Sequence, residues 1–188
     1  MNLPNYLTIL RIVLSFLCVI FILRFDLLSF CLAFMMFICA SLTDFFDGFI
    51  ARKYGKVSDL GKLLDPIADK ILVLGVFLAF LVLDIVNIWM VIVIMMREFI
   101  ITGVRLFVLS RGRVLEAKRF GKHKTFSQMV GINYIFIVVI LSKILKDNAI
   151  VGFLYEKGIP LLMWYVVVVT AFSGVHYLWA NRRIIKNF

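Results

Sequence analysis

Residues 27–69 read LLSFCLAFMMFICASLTDFFDGFIARKYGKVSDLGKLLDPIAD. The opening run, Leu27–Thr43, carries no charged residue and is close to the length that crosses a bilayer as a helix. Immediately after it come Asp44 and Asp47, then a short basic stretch, then Asp65 and Asp69, and from Ile67 a second apolar run begins. Ionisable groups that close to hydrocarbon are costly and point to function by default. The stretch therefore reads as two membrane helices whose adjoining ends carry four carboxylates.

Working outward, the whole chain has the composition this reading requires. Of 188 residues 63% are hydrophobic and only 17% are charged, with mean hydropathy +1.04. A soluble domain is nearer 45–50% apolar and about 25% charged, so the excess cannot be hidden in one core of this size. Six apolar runs of spanning length appear, at residues 7–23, 27–43, 67–83, 88–109, 126–141 and 160–180, and none alternates with the two-residue period of a barrel strand. The fold class expected is all-α: a polytopic membrane protein with six transmembrane helices, forming a single domain over residues 1–188. The first run has no basic n-region and no small-residue cleavage site, and is expected to be retained. Asn5, Thr8 and Arg11 fall three apart on one helical face, which predicts a short interfacial segment at the N-terminus.

Charge sets the orientation. The chain holds 21 Lys and Arg against 11 Asp and Glu, a net +10. Six spans put both termini on one side, and only Arg24, Lys143, Lys146 and Lys157 fall on the other. Basic residues are retained in the cytoplasm, so the termini and the four carboxylates are expected to face the cytosol of a plasma-membrane protein. Juxtamembrane charge explains the excess of cations, and no nucleic-acid partner is expected. Cys18, Cys31 and Cys39 lie inside apolar runs without ligand spacing. His123 and His176 are isolated and read as packed or interfacial. Trp89, Trp164 and Trp179 suit an interfacial belt, and Gly75, Gly103, Gly131 and Gly174 suit close helix packing.

Asp44 and Asp47 are three apart and Asp65 and Asp69 four apart, so each pair shares one helical face. Four carboxylates converging on one point stay ionised only if cations lie between them. With oxygen donors alone, the ions that fit are hard ones, Mg²⁺ or Mn²⁺, and two ions about 4 Å apart would balance the four acids and offer a site for phosphate oxygens. The bland alternative pairs the acids with Arg52, Lys53, Lys62 and Lys70 at the water interface. The small residues argue against it: Gly48 and Ala51 lie within a turn or so of Asp47, and Gly61 does the same before Asp65, leaving bare backbone for a ligand. Pro66 is expected in the first turn of its helix.

Written as a pattern, the segment is Asp44-x-x-Asp47-Gly48-x-x-Ala51-Arg52, eight residues, then Gly61-x-x-x-Asp65-x-x-x-Asp69. It resembles, at every defined position, the motif of the CDP-alcohol phosphatidyltransferase family. The resemblance implies six helices around a polar cavity open to the cytosol, and transfer of a phosphatidyl group from a CDP-linked lipid to an alcohol with release of CMP. It makes Asp44, Asp47 and Asp65 ligands of two divalent ions, and Asp69 the general base beside the second. It places Asn5, Thr8, Gly48, Ala51, Arg52 and Gly61 on the CDP-alcohol. Family members are commonly homodimers, which the resemblance implies here too.

Three further stretches resemble the branch of that family whose acceptor is sn-glycerol 3-phosphate: residues 3–11, 96–105 and 121–129. CDP-diacylglycerol is then the donor and phosphatidylglycerophosphate the product. Cations are needed for the acceptor's phosphate, and Arg97, Arg105, Lys118, Lys122 and Lys124 are the candidates. Glu98 precedes Arg105 by two helical turns, a spacing that predicts a pair between them. Inositol phosphate, serine or phosphatidylglycerol as acceptor is the same-class alternative. A cation transporter or channel is the alternative of another class, and it predicts a helix broken near the bilayer midplane or an acid near the centre of a span.

Overall fold

The structure, a computed structural model, describes the backbone of residues 3–54, 59–110 and 120–182; within these, the side chains of residues 3–5, 7, 44–54, 59–66, 69, 109–110 and 120–122 lie outside the description. The described residues are helical apart from short turns at 25–26, 83–87 and 145–148 and at 181. Helix α1 spans Leu3–Arg24, α2 Leu27–Tyr54, α3 Asp59–Val82, α4 Ile88–Ser110 and α5 Phe120–Ile144. A short α6, Ala149–Phe153, passes through a π-helical turn, Leu154–Gly158, into α7, Ile159–Ala180. The two-residue turn at Phe25 and Asp26 folds α1 and α2 into a hairpin, and α1 packs along both α2 and α3.

Each expected apolar run lies almost wholly within one helix, but the helices outrun the apolar stretches. α2 continues beyond Thr43 to Tyr54, and α3 begins at Asp59, well before Ile67. Both extensions are at the acidic end, where helical hydrogen bonding needs no hydrocarbon. Pro66 is therefore not in a first turn but at the eighth position of α3. Having no N–H, it cannot donate to the carbonyl of Lys62.

The stretch between the fifth and sixth runs also differs from expectation, being largely helical. Asn148 caps α6, its Oδ1 accepting from the N–H groups of Ile150 at 3.0 Å and Val151 at 3.3 Å. Pro160 stands in the first turn of α7, just past the π turn, where its missing N–H does little harm. The Tyr134 hydroxyl donates to the Leu154 carbonyl at 3.4 Å and occupies the space a side chain at Gly158 would need.

Helix α1 is continuous from Leu3. Its inward stripe is Thr8, Arg11, Ser15, Cys18 and Ile22, all buried, with steps of three and four. Tyr6, Leu10, Phe16 and Ile20 on the other faces are exposed. The same inversion runs through the molecule: Leu28, Trp89, Phe126, Leu161 and Val175 stand exposed while Glu98, Lys124, Gln128, Thr170 and Ser173 are buried. Water would impose the reverse, and a lipid surround accounts for it. Among the described residues, His123–Ile144 and Ala149–Ala180 are long and apolar enough to cross a membrane, and Leu27–Thr43 and Lys70–Val82 are shorter apolar helices.

An aromatic cluster locks the end of the bundle away from the acids. Phe136 of α5 has its ring 5.3 Å from Phe30, 5.1 Å from Phe34 and 5.8 Å from Phe37, all on α2, and 5.3 Å from Phe80 of α3. Gly75 and Gly131 let α3 approach Val19 and α5 approach Val166, whereas Gly103 faces open space. At the acidic end the buried residues become polar.

Candidate active site

The backbone places Asp44 and Asp47 in the later turns of α2 and Asp65 and Asp69 in the early turns of α3. Four residues separate the two helices, so Tyr54 and Asp59 stand at most about 17 Å apart. Both pairs thus occur at one end of the bundle, on helices that pack on α1. This donor set, oxygen only and split between adjoining helix ends, fits hard divalent ions. The side chains of Asn5, Asp44, Asp47, Ala51, Arg52, Asp65, Asp69 and Lys122 lie outside the described residues, as do the surroundings of Gly48 and Gly61 and the whole of Lys118. Among the described side chains, no three potential metal ligands converge.

The hairpin about Phe25 and Asp26 brings the start of α1 to the level where α2 becomes acidic. There Thr8 and Arg11 are fully buried, and the Ser15 hydroxyl donates to the Arg11 carbonyl at 2.7 Å. A guanidinium with no exposed surface is a large cost unless anions or acceptors surround it. Arg11 is thus an inward-facing cation at the acidic end, where the spacing of Asn5, Thr8 and Arg11 had predicted an interfacial face.

Next to this lies a belt of polar contacts linking four helices. Lys70 of α3 donates through Nζ to the Thr102 hydroxyl of α4. Glu98 of α4 accepts from Lys124 of α5. Arg97 donates from Nη1 to Glu98 at 3.3 Å and from Nη2 to the Ser173 hydroxyl of α7 at 2.9 Å. Gln128 of α5 reaches Thr170 of α7 at 3.5 Å. A narrow crevice of about 10 Å³, room for roughly one water, is lined by Lys70, Val73, Leu74, Glu98, Lys124, Thr125 and Gln128.

Of the expected acceptor-phosphate residues, Arg97 and Lys124 are thus brought together, both on Oε1 of Glu98. Arg105 is not. Its guanidinium is exposed, 6.0 Å from the centre of the Tyr177 ring, and Glu98 takes Lys124 and Arg97 instead of the predicted Arg105. The i, i+7 spacing does put Glu98 and Arg105 on one face, but α5 and α7 offer Glu98 and Arg97 nearer partners. Thr102, Gln128, Thr170 and Ser173 were not foreseen. Their signal is a polar side chain isolated in an apolar run.

A larger cavity, about 530 Å³, opens at the opposite end between the α3–α4 turn and the start of α7, lined by residues including Leu81, Asp84, Asn87, Met90, Pro160 and Trp164. With a single acid and no cation in its wall, it lacks the chemistry the acidic end has.

A helical bundle with exposed apolar faces and the four motif aspartates, Asp44, Asp47, Asp65 and Asp69, on adjoining helices places the chain in a known class. The sequence profile of the CDP-alcohol phosphatidyltransferase family matches residues 1–172, and the chain belongs to that family, as an enzyme of its class. Among its relatives is a CDP-diacylglycerol–glycerol-3-phosphate 3-phosphatidyltransferase of Bacillus subtilis, 37% identical over 152 residues, which cover 81% of this chain and 74% of the relative. Proteins of the same name from Rickettsia felis and Rickettsia typhi are each 36% identical, over 97% and 96% of this chain and 96% and 97% of their own lengths.

Proposed function

We propose that this chain is a multi-pass membrane enzyme that transfers the phosphatidyl group of CDP-diacylglycerol to sn-glycerol 3-phosphate, giving phosphatidylglycerophosphate and CMP. The observation that carries the reading is near full-length similarity to proteins named for that reaction, in a chain whose aspartate motif is complete. The exposed apolar surfaces of α1 to α5 and of residues 149–180 support six spans forming one domain over residues 1–188. The bias of Lys and Arg supports cytosolic termini and a cytosolic active site in the plasma membrane. Homodimer formation rests on the family resemblance alone.

In this reading Asp44, Asp47, Asp65 and Asp69 hold two divalent ions, Mg²⁺ or Mn²⁺, which when bound offset charge on the diphosphate and on departing CMP. Gly48, Ala51 and Gly61 leave backbone open to the nucleotide, with Asn5, Thr8 and Arg52 around it. The acceptor hydroxyl oxygen bonds to the phosphatidyl phosphorus as the bridging P–O bond to CMP breaks, and its proton passes to the Asp69 carboxylate. A carboxylate among cations is a weak base, so orientation of the hydroxyl must supply much of the rate. Arg97 and Lys124, fixed at their places in the polar belt, orient the acceptor through its phosphate.

The test is release of labelled CMP by the purified full chain given CDP-diacylglycerol and each candidate alcohol in turn. Glycerol 3-phosphate should give product. Product with inositol phosphate, serine or phosphatidylglycerol, and none with glycerol 3-phosphate, would overturn the assignment.

A further inference from the structure

Glu98 is a buried carboxylate that the proposed chemistry does not use, and its surroundings give it a task. It is 7% exposed and Lys124 is 8% exposed, so the pair is largely out of water. Burying an ion pair gains little stability over an apolar pair of similar volume, so stability is a weak reason for it. What the carboxylate does achieve is positional: it engages two cations from different helices, Lys124 of α5 and Arg97 of α4, and Arg97 is anchored on its far side by Ser173 of α7. Without it, two positive groups would face each other in a low dielectric and move apart.

Among the described residues lining the crevice, Lys70 and Lys124 are the cations and Glu98 is the acid. With space for roughly one water, it cannot enclose a phosphate. It is instead a wall of cations already in place, which an anion meets without ordering long side chains first, and such preorganisation raises affinity.

We propose that Glu98 is a positioning residue for the acceptor: by fixing Lys124 and Arg97 it determines how tightly a phosphate monoester is held, without touching it. The inference rests on the proposed function and deepens it. The test is the Michaelis constant for glycerol 3-phosphate and, separately, for CDP-diacylglycerol, measured on the purified full chain as Glu98→Gln, Glu98→Asp, Lys124→Gln and the Glu98→Gln/Lys124→Gln double variant. Glu98→Gln should raise the constant for glycerol 3-phosphate by about tenfold or more, the worth of one charge-assisted hydrogen bond. The constant for CDP-diacylglycerol should stay within about twofold, Glu98→Asp should recover part of the loss, and Glu98→Gln should add little once Lys124 is already Gln. Equal changes in both constants, or a full effect of Glu98→Gln in the Lys124→Gln background, would overturn the inference. If Glu98→Gln does not fold, Glu98→Asp decides: it must weaken glycerol 3-phosphate selectively, and an unselective loss refutes the role. A wild-type chain inactive on glycerol 3-phosphate would instead overturn the proposed function.

Discussion

The guanidinium of Arg97 on α4 donates from Nη2 to the Ser173 hydroxyl on α7 at 2.9 Å, and its aliphatic stem lies against Gly174. A Cβ added at Gly174 would come within 2.9 Å of Arg97 Cγ, in the middle of the stem, where it cannot easily give way. Ser173→Ala removes only the acceptor and should cost about 1.5–3 kcal/mol, the range for hydrogen bonds to charged groups. Gly174→Val displaces the whole side chain and should cost more. Thermal unfolding of the purified protein checks both, and a Gly174→Val variant as stable as wild type would contradict the contact.

The π turn depends on a glycine for space. In Gly158→Ala the new methyl meets the Tyr134 hydroxyl. The variant should lose about 1–3 kcal/mol, as overpacked sites do. Tyr134→Phe removes the atom in the way, so the double variant should recover part of that loss. Additive losses would show that the two residues do not meet.

Phe136 joins α5 to both α2 and α3 and is fully buried. Phe136→Ala leaves a void among four rings and should cost about 3–5 kcal/mol, read as a lower unfolding temperature. Because the cluster lies away from the acidic end, the surviving folded fraction should keep the wild-type Michaelis constant for CDP-diacylglycerol.

At the α1–α2 turn the Ser29 N–H donates to Asp26 Oδ2 at 2.9 Å, and this bond, with the Ser29 hydroxyl assisting, holds the Asp26 carboxyl below its ordinary value of 3.8. Since the folded-state value is the lower one, its stabilising contribution is complete above the unfolded-state value. It fades as pH falls through the folded-state value. The deficit of Asp26→Ala relative to wild type should therefore be constant near neutrality and shrink below about pH 4. A deficit that persists unchanged into acid would mean the carboxylate charge plays no part.

The helices were legible in the sequence because hydrocarbon demands an unbroken apolar run: Leu27–Thr43 and Pro160–Ala180 lie inside α2 and α7. Their true ends were not, since outside the bilayer a helix can continue through polar sequence, as α2 does to Tyr54. The helical stretch from Ala149 was not expected, because the residues between the fifth and sixth apolar runs read as a connection. That Asp44 and Asp47 fall on one helix and Asp65 and Asp69 on the next was legible, because each pair is local in sequence. The polar belt was not: Glu98 finds Lys124 twenty-six residues on and Arg97 finds Ser173 seventy-six residues on, and one sequence does not say which helices are neighbours. Arg11 was assigned to an interfacial face from its spacing with Asn5 and Thr8, yet here it is fully buried.

The central claim is that aspartates from α2 and α3 hold two divalent ions between them. Manganese binding to the purified full chain, followed by electron paramagnetic resonance with a CDP-diacylglycerol analogue present, tests it most directly. Two ions per chain are expected, with clear losses in both Asp44→Asn and Asp65→Asn, and with CMP release abolished by chelation and restored by Mg²⁺ or Mn²⁺. Unchanged binding when the aspartate of either helix is replaced, or CMP release that continues through exhaustive chelation, would contradict the account.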